Sequence, residues 1–178
     1  MDIAKLTELA KDAGFTEVGT LDVATLQFLP EVRDMCAADK CHMYNHSWAC
    51  PPACGTLDEM SARALKYSRG ILVQTVAQLE DSFDFEGMGA AAEQHKQAFV
   101  KLHEVLREQY PDLFPMGSGG CTICPKCSYP DAPCRFPDRA IPSMEACGLL
   151  VSQVVSDNGM KYNHGRDTLA YTAAFLLE

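Results

Sequence analysis

The chain has 178 residues, 47% of them apolar and 22% charged, which is the balance of a globular protein with a real core and excludes a disordered polymer. Its net charge is −9, from 24 acidic and 15 basic residues, so it repels a phosphate backbone and nucleic acid is not an expected partner. Apolar runs such as "AAFLL" are too short to cross a bilayer, so no membrane is expected either.

The opening "MDIAKLTELAKDAGF" has neither the unbroken apolar stretch nor the cleavage site of a signal peptide, and a cytoplasmic location is expected. Ile3, Leu6, Ala10 and Ala13 share one helical face, and Gly14 follows as a stop, predicting a helix over residues 3 to 13. "FTEVGTLDV" reads as a short strand, and a second helical stretch covers roughly residues 24 to 35. In "GTLDEMSARALKYSRG", Thr56 and Glu59 form a capping box, Leu57, Met60, Ala64 and Tyr67 form an apolar stripe, and Gly70 closes the helix.

"ILVQTVAQL" is rich in β-branched residues and reads as a central strand. After a flexible "EDSFDFEGMGA", the longest helix is expected at about residues 90 to 109, with His95, Phe99, Leu102 and Leu106 on one face and Pro111 as its end. Ser143 is expected to cap a further helix carrying Met144, Cys147, Val151 and Val154, ending at Asn158-Gly159, and "DTLAYTAAFLLE" closes the chain as a strand. The expected fold is a single domain over residues 1–178, α/β or α+β, with one sheet flanked by helices. Two long loops, residues 35 to 55 and 115 to 142, hold eight of the nine cysteines. Loops of that length need a purpose in a compact domain, and bound metal would supply their order.

The second loop holds C-x2-C-x2-C-x6-C: Cys121, Cys124, Cys127 and Cys134. Three cysteines at successive spacings of three wrap a loop around one face of an iron–sulfur cube, as in the bacterial ferredoxin run, although the fourth spacing there is shorter. The first loop holds Cys36, Cys41, Cys50 and Cys54 as C-x4-C-x8-C-x3-C, which matches no standard zinc finger. These eight are the candidate metal ligands, in one or two 4Fe–4S clusters, with ligand sharing local or interleaved. Structural zinc is the alternative. A disulfide framework fits poorly with an odd number of cysteines in a reducing compartment.

His42 and His46 are secondary ligand candidates, and Trp48 is expected to pack as a lid over the site or the core. Lys126 and Arg135 would favour thiolates or simply face solvent, and "GSGG" at residues 117 to 120 reads as a turn. His95, His103 and His164 read as ordinary helix or loop residues. Cys147, on the stripe beyond Ser143, reads as a small core residue. No serine, cysteine or carboxylate catalytic constellation stands out, so whether the protein is an enzyme stays open.

"W-x-C-P-P" at Trp48 to Pro52, with "C-x-x-C-x-K-C-x-Y-P" and "P-C-R-F-P-D-R-A-I-P-S-M-E-A" over Cys121 to Ala146, resembles an uncharacterised family of small cysteine-rich predicted metal-binding proteins of bacteria and archaea. The resemblance covers most of the chain. It implies a cysteine-ligated metal in iron–sulfur form, in anaerobic microbes, at Cys36, Cys41, Cys50, Cys124, Cys127 and Cys134, with Cys54 and Cys121 inside the same motifs. The expected function is electron transfer, or a redox accessory role, toward a partner protein. The alternatives are a zinc-stabilised binding module without redox chemistry and a small redox enzyme with an open cluster iron.

Overall fold

A computed structural model describes residues 1–178. Its framework is one four-stranded sheet, β1 (Glu17–Asp22), β2 (Arg69–Gln78), β3 (Phe114–Met116) and β4 (Thr168–Leu176), in the order β1-β2-β4-β3. Every neighbouring pair is antiparallel, which makes the fold α+β. Five helices surround it: α1 (Ile3–Ala13), α2 (Pro30–Ala37), α3 (Leu57–Ala64), α4 (Phe85–Gln109) and α5 (Val151–Asp157).

The two inner strands are buried on both faces, which is why their sequences read as nearly continuous apolar runs. Ile71 and Val73 of β2, with Ala173 and Phe175 of β4, pack against Leu6 and Ala10 of α1 and against Phe99, Leu102 and Leu106 of α4. Alternate residues, Leu72, Ala174 and Leu176, face the opposite core with Met60 and Ala64 of α3, Val154 of α5, and Met144, Cys147 and Leu149. Helices therefore cover one face, while helices and irregular chain cover the other.

Local chemistry explains most element ends. Gly14 closes α1, Thr56 and Glu59 make the reciprocal capping box of α3, and Asn158 caps α5 ahead of Gly159. Five expectations need correction. The stretch at 24 to 35 is a single 3-10 turn, Val23–Thr25, followed by α2, whose start is set by Pro30 in the first helical turn. Helix α4 begins at Phe85, because the Asp84 carboxylate accepts from the Gly87 amide and caps the helix in a stretch that reads as flexible.

Gly70 does not close α3, which ends at Ala64; it lies inside β2. A Cβ there would stand 2.3 Å from the Phe175 carbonyl oxygen, so only glycine lets β4 approach this closely. Ser143 does cap a turn, accepting from the Ala146 amide, but Gly148 at φ +88 ends it after one turn, and helix resumes only at Val151. Strand β3 carries no sequence signal: it has three residues, one of them Pro115, and pairs only at the sheet edge.

Residues 38–56 and 117–150 contain no α-helix or strand, and the isolated bridges Phe28–Leu149 and Gly117–Ser143 tie the second segment down. Cys36 is not in a loop: it lies in the last turn of α2.

Candidate metal centre

Helix α2 presents Arg33 and Cys36, one turn apart, to the rest of the first cysteine group. The Arg33 guanidinium donates to the carbonyls of Ala146 at 2.5 Å and Gly55 at 2.7 Å, and lies 3.9 Å from the Cys54 sulfur. The Cys36 thiol lies 3.8 Å from the Glu145 carbonyl, and the Cys54 thiol 3.9 Å from that of Ala146. The 143–148 turn is thus a third wall beside α2 and the 41–54 segment.

Burial pushes the thiol of Cys36 above its ordinary pKa; Glu145, Cys41 and Cys54 add to the shift and Arg33 opposes it. Burial pushes Cys50 up to about 11, against the Ser47 hydroxyl and together with Cys54, Cys41 and Cys36. It also raises Cys54, against Arg33 and its own backbone amide. The four thiols therefore lie within electrostatic reach of one another. Without metal, Cys36, Cys50 and Cys54 hold their protons, which a metal must displace to bind.

The second group is built differently. Cys121, Cys124, Cys127 and Cys134 open on one cavity of about 410 Å³, whose wall also takes His46, Ser47 and Trp48 from the first cysteine segment. Burial raises Cys121; the Ile123 amide opposes this, and Cys127, Cys134 and Cys124 reinforce it. Cys127 behaves oppositely. Burial tends to raise it, but the amides of Tyr129 and Trp48, the Ser47 hydroxyl and the Ser128 amide together carry its pKa below the ordinary value.

Polar contacts hold this irregular stretch. Ser128 donates from its hydroxyl to the Pro133 carbonyl at 2.8 Å, and Arg135 to the Lys126 carbonyl at 3.0 Å. Tyr129 donates to Asn45 Oδ1 at 2.8 Å, linking the two cysteine segments. Trp48 stands edge-on to Tyr129 at the cavity wall.

No three His, Cys, Asp or Glu side chains converge closely enough to hold a single metal ion. The thiols instead form two sets of four, Cys36, Cys41, Cys50 and Cys54 in one and Cys121, Cys124, Cys127 and Cys134 in the other. The family profile described as "Predicted metal-binding protein (DUF2284)" matches residues 19–177, which takes in both sets. The chain belongs to this family. No curated protein and no solved structure matches the chain.

For this DUF2284 member the donor chemistry fits the family description: eight thiols, four to a set, with backbone and arginine donors beside them. His46 lines the second cavity, whereas His42 lines none of the larger cavities; both side chains are exposed. Cys147 is fully buried among Met60, Met144 and Leu149, and burial pushes its thiol up to about 12. Two features have no signal in the sequence. Arg33 stands 21 residues before Cys54, on a helix that gives no hint of reaching it. His95, which reads as an ordinary helix residue, is buried beside a separate, larger space lined by α4.

Proposed function

We propose that this protein binds iron–sulfur clusters, one at each set of four cysteines, and serves as a single-electron carrier for a partner protein. The observation that carries the reading is the 410 Å³ cavity onto which Cys121, Cys124, Cys127 and Cys134 all open without converging on a point. A mononuclear zinc site draws four sulfurs to about 2.3 Å from one centre. A four-iron cube is larger and holds its thiolates farther apart, each on its own iron. Bound there, such a cluster supplies reversible one-electron chemistry.

The chain's own residues do the rest. The eight thiolates are the ligands. Arg33 beside Cys54, and the amides around Cys127, place positive charge and N–H dipoles near sulfur, which favours a site that gains an electron. Ser47, Trp48 and Ala49 belong to the first cysteine segment and line the second cavity, so the two sets adjoin and an electron has a short path between them. The four cysteines of the second set are partly exposed, within reach of a docking partner.

Purification without oxygen tests this directly. The expected product is brown, contains iron and acid-labile sulfide, and bleaches with dithionite. A colourless protein with stoichiometric zinc would overturn it in favour of the structural-zinc module.

A further inference from the structure

A second, larger space of about 490 Å³ lies between α4 and the Gly117–Ile123 segment. Its size is in the range of small-molecule sites. Cys121, Thr122 and Ile123 line both this space and the thiol cavity, so one thickness of chain separates them.

The floor is buried and the rim is charged. His95, 4% exposed, is at the floor with Phe99, and its Nδ1 shares a hydrogen bond of 3.0 Å with the Thr75 hydroxyl. The other ring nitrogen, Nε2, is the only buried side-chain nitrogen or oxygen in the protein without a hydrogen-bond partner. Native interiors rarely leave such an atom unpaired; it touches no free volume as it stands, so a ligand hydroxyl reaches it only when the ring turns toward the space. Burial pushes the His95 pKa down to about 4, so the ring is neutral at pH 7 and has a nitrogen ready to pair with a hydroxyl.

At the rim, Lys96 is paired with Glu93, but Arg107 and Arg139 make no ion pair, although Glu104 lies on the same rim. The amides of Ser118, Gly119 and Gly120 donate to no backbone acceptor, and Gly119 has φ +70. Turns of this kind, with free amides beside arginines, suit a carboxylate. Between floor and rim the walls are flat and apolar, with Phe99 stacked on Phe175 behind it and Ile123, Ile141 and Tyr171 around.

We propose that this space binds a small aromatic acid bearing a ring hydroxyl, its carboxylate at Arg107, Arg139 and the glycine turn, its hydroxyl at His95. The site adjoins the thiol cavity through Cys121, so its ligand sits beside the redox site of the preceding proposal. Binding itself does not depend on which metal the thiols hold, and the two readings can fail separately.

The test uses the full chain as purified, with 4-hydroxybenzoate as probe and benzoate as its comparison, by titration calorimetry. The wild type should bind the hydroxy acid at one site with Kd below about 1 mM, and benzoate about tenfold or more weakly, because a buried polar atom left unpaired penalises the analogue lacking the hydroxyl. His95→Phe should bring the two acids to equal affinity without weakening benzoate. Arg107→Gln with Arg139→Gln should weaken both acids about tenfold or more. Circular dichroism and metal content should match the wild type. No binding at about 10 mM probe, equal wild-type affinities for the two acids, or affinities unmoved by the arginine substitutions would each overturn the proposal. The wild-type comparison needs no variant to fold.

Discussion

The indole of Trp48 donates from Nε1 to the carbonyl of Ala132 at 3.0 Å, and its ring stands edge-on to Tyr129 with 4.9 Å between centroids. Trp48 belongs to the first cysteine segment, whereas Ala132 lies between Cys127 and Cys134 of the second. One side chain therefore joins the two segments and forms part of the wall of the second thiol cavity. Because it is the only tryptophan, its fluorescence reports on that cavity. Metal loading should quench the emission in the wild type and quench it clearly less in Cys124→Ala, which keeps only the first set loaded. Equal quenching in both would separate Trp48 from the second site. Trp48→Phe should lower stability by about 1 kcal/mol, the net scale of one hydrogen bond, read as a shift in the urea midpoint.

The two sets of thiols predict two separable metal sites. Cys50→Ala and Cys124→Ala should each remove about half of the bound metal, and the double variant nearly all of it. If either single substitution emptied the protein, the eight thiols would serve one interleaved site. Arg33→Gln should act on the first set alone, because its guanidinium holds Ala146, Gly55 and Cys54 together. Charged hydrogen bonds of this kind contribute about 1.5 to 3 kcal/mol each, so Arg33→Gln should also lower the melting temperature.

Cys147→Ala should keep full metal content. Its sulfur packs 3.8 Å from that of Met60 and is shut off from solvent, in the environment of a small apolar side chain. The cost should be about 1 kcal/mol from the packing lost. Loss of metal on this substitution, measured per chain, would mean that the 143–148 turn supplies a ligand.

His95 should make stability depend on pH. Its surroundings are Phe15, Thr75 and Tyr171, and burial is the cause of its low pKa, about 4 against 6.5 for the free side chain. The unfolded chain takes up this proton as pH falls below 6.5, while the folded chain resists until about pH 4. The stabilisation is therefore fully present above pH 6.5 and is lost as pH falls toward 4. Between pH 7 and pH 4.5 the loss should be on the order of 2 to 3 kcal/mol. Urea unfolding of wild type and His95→Phe at both pH values isolates it: the variant should lose less, by that amount.

Gly70 and Gly89 should respond oppositely to alanine. At Gly70 the added carbon meets backbone of the paired strand, the Phe175 oxygen at 2.3 Å and the Leu176 Cα at 3.0 Å. Gly70→Ala should cost about 1 to 3 kcal/mol as the strands part. Gly89 lies within α4 with nothing within 4 Å of the added carbon, so Gly89→Ala should gain up to about 1 kcal/mol in helix propensity. Thermal melts that ranked the two the other way would contradict the packing at β2 and β4.

Much of the fold was legible because its signals are local. The capping box at Thr56, the stop at Gly14, and the β-branched run of β2 each act within a few residues, and each element lies close to where those residues place it. Two of the departures share one cause. Gly70 reads as a helix stop and Gly148 as helix interior, yet one relieves a contact with the distant Phe175 and the other turns the chain against Leu57. Glycine states that a side chain is not tolerated; only the neighbour states why.

For the site, cysteine count and spacing alone point to metal binding, in line with the family description, because thiols so dense at such short intervals have few other uses. How they divide is a different kind of fact. Cys36 lies on a helix 85 residues before Cys121, and only the folding of α2 against the 143–148 turn separates its set from the other. The same holds for Arg33 at Cys54 and for His95 beneath the glycine turn. Periodicity and capping are short-range, so sequence carries them. Which side chains meet across 21 to 113 residues depends on how the sheet stacks its helices, and that is decided only when the core closes.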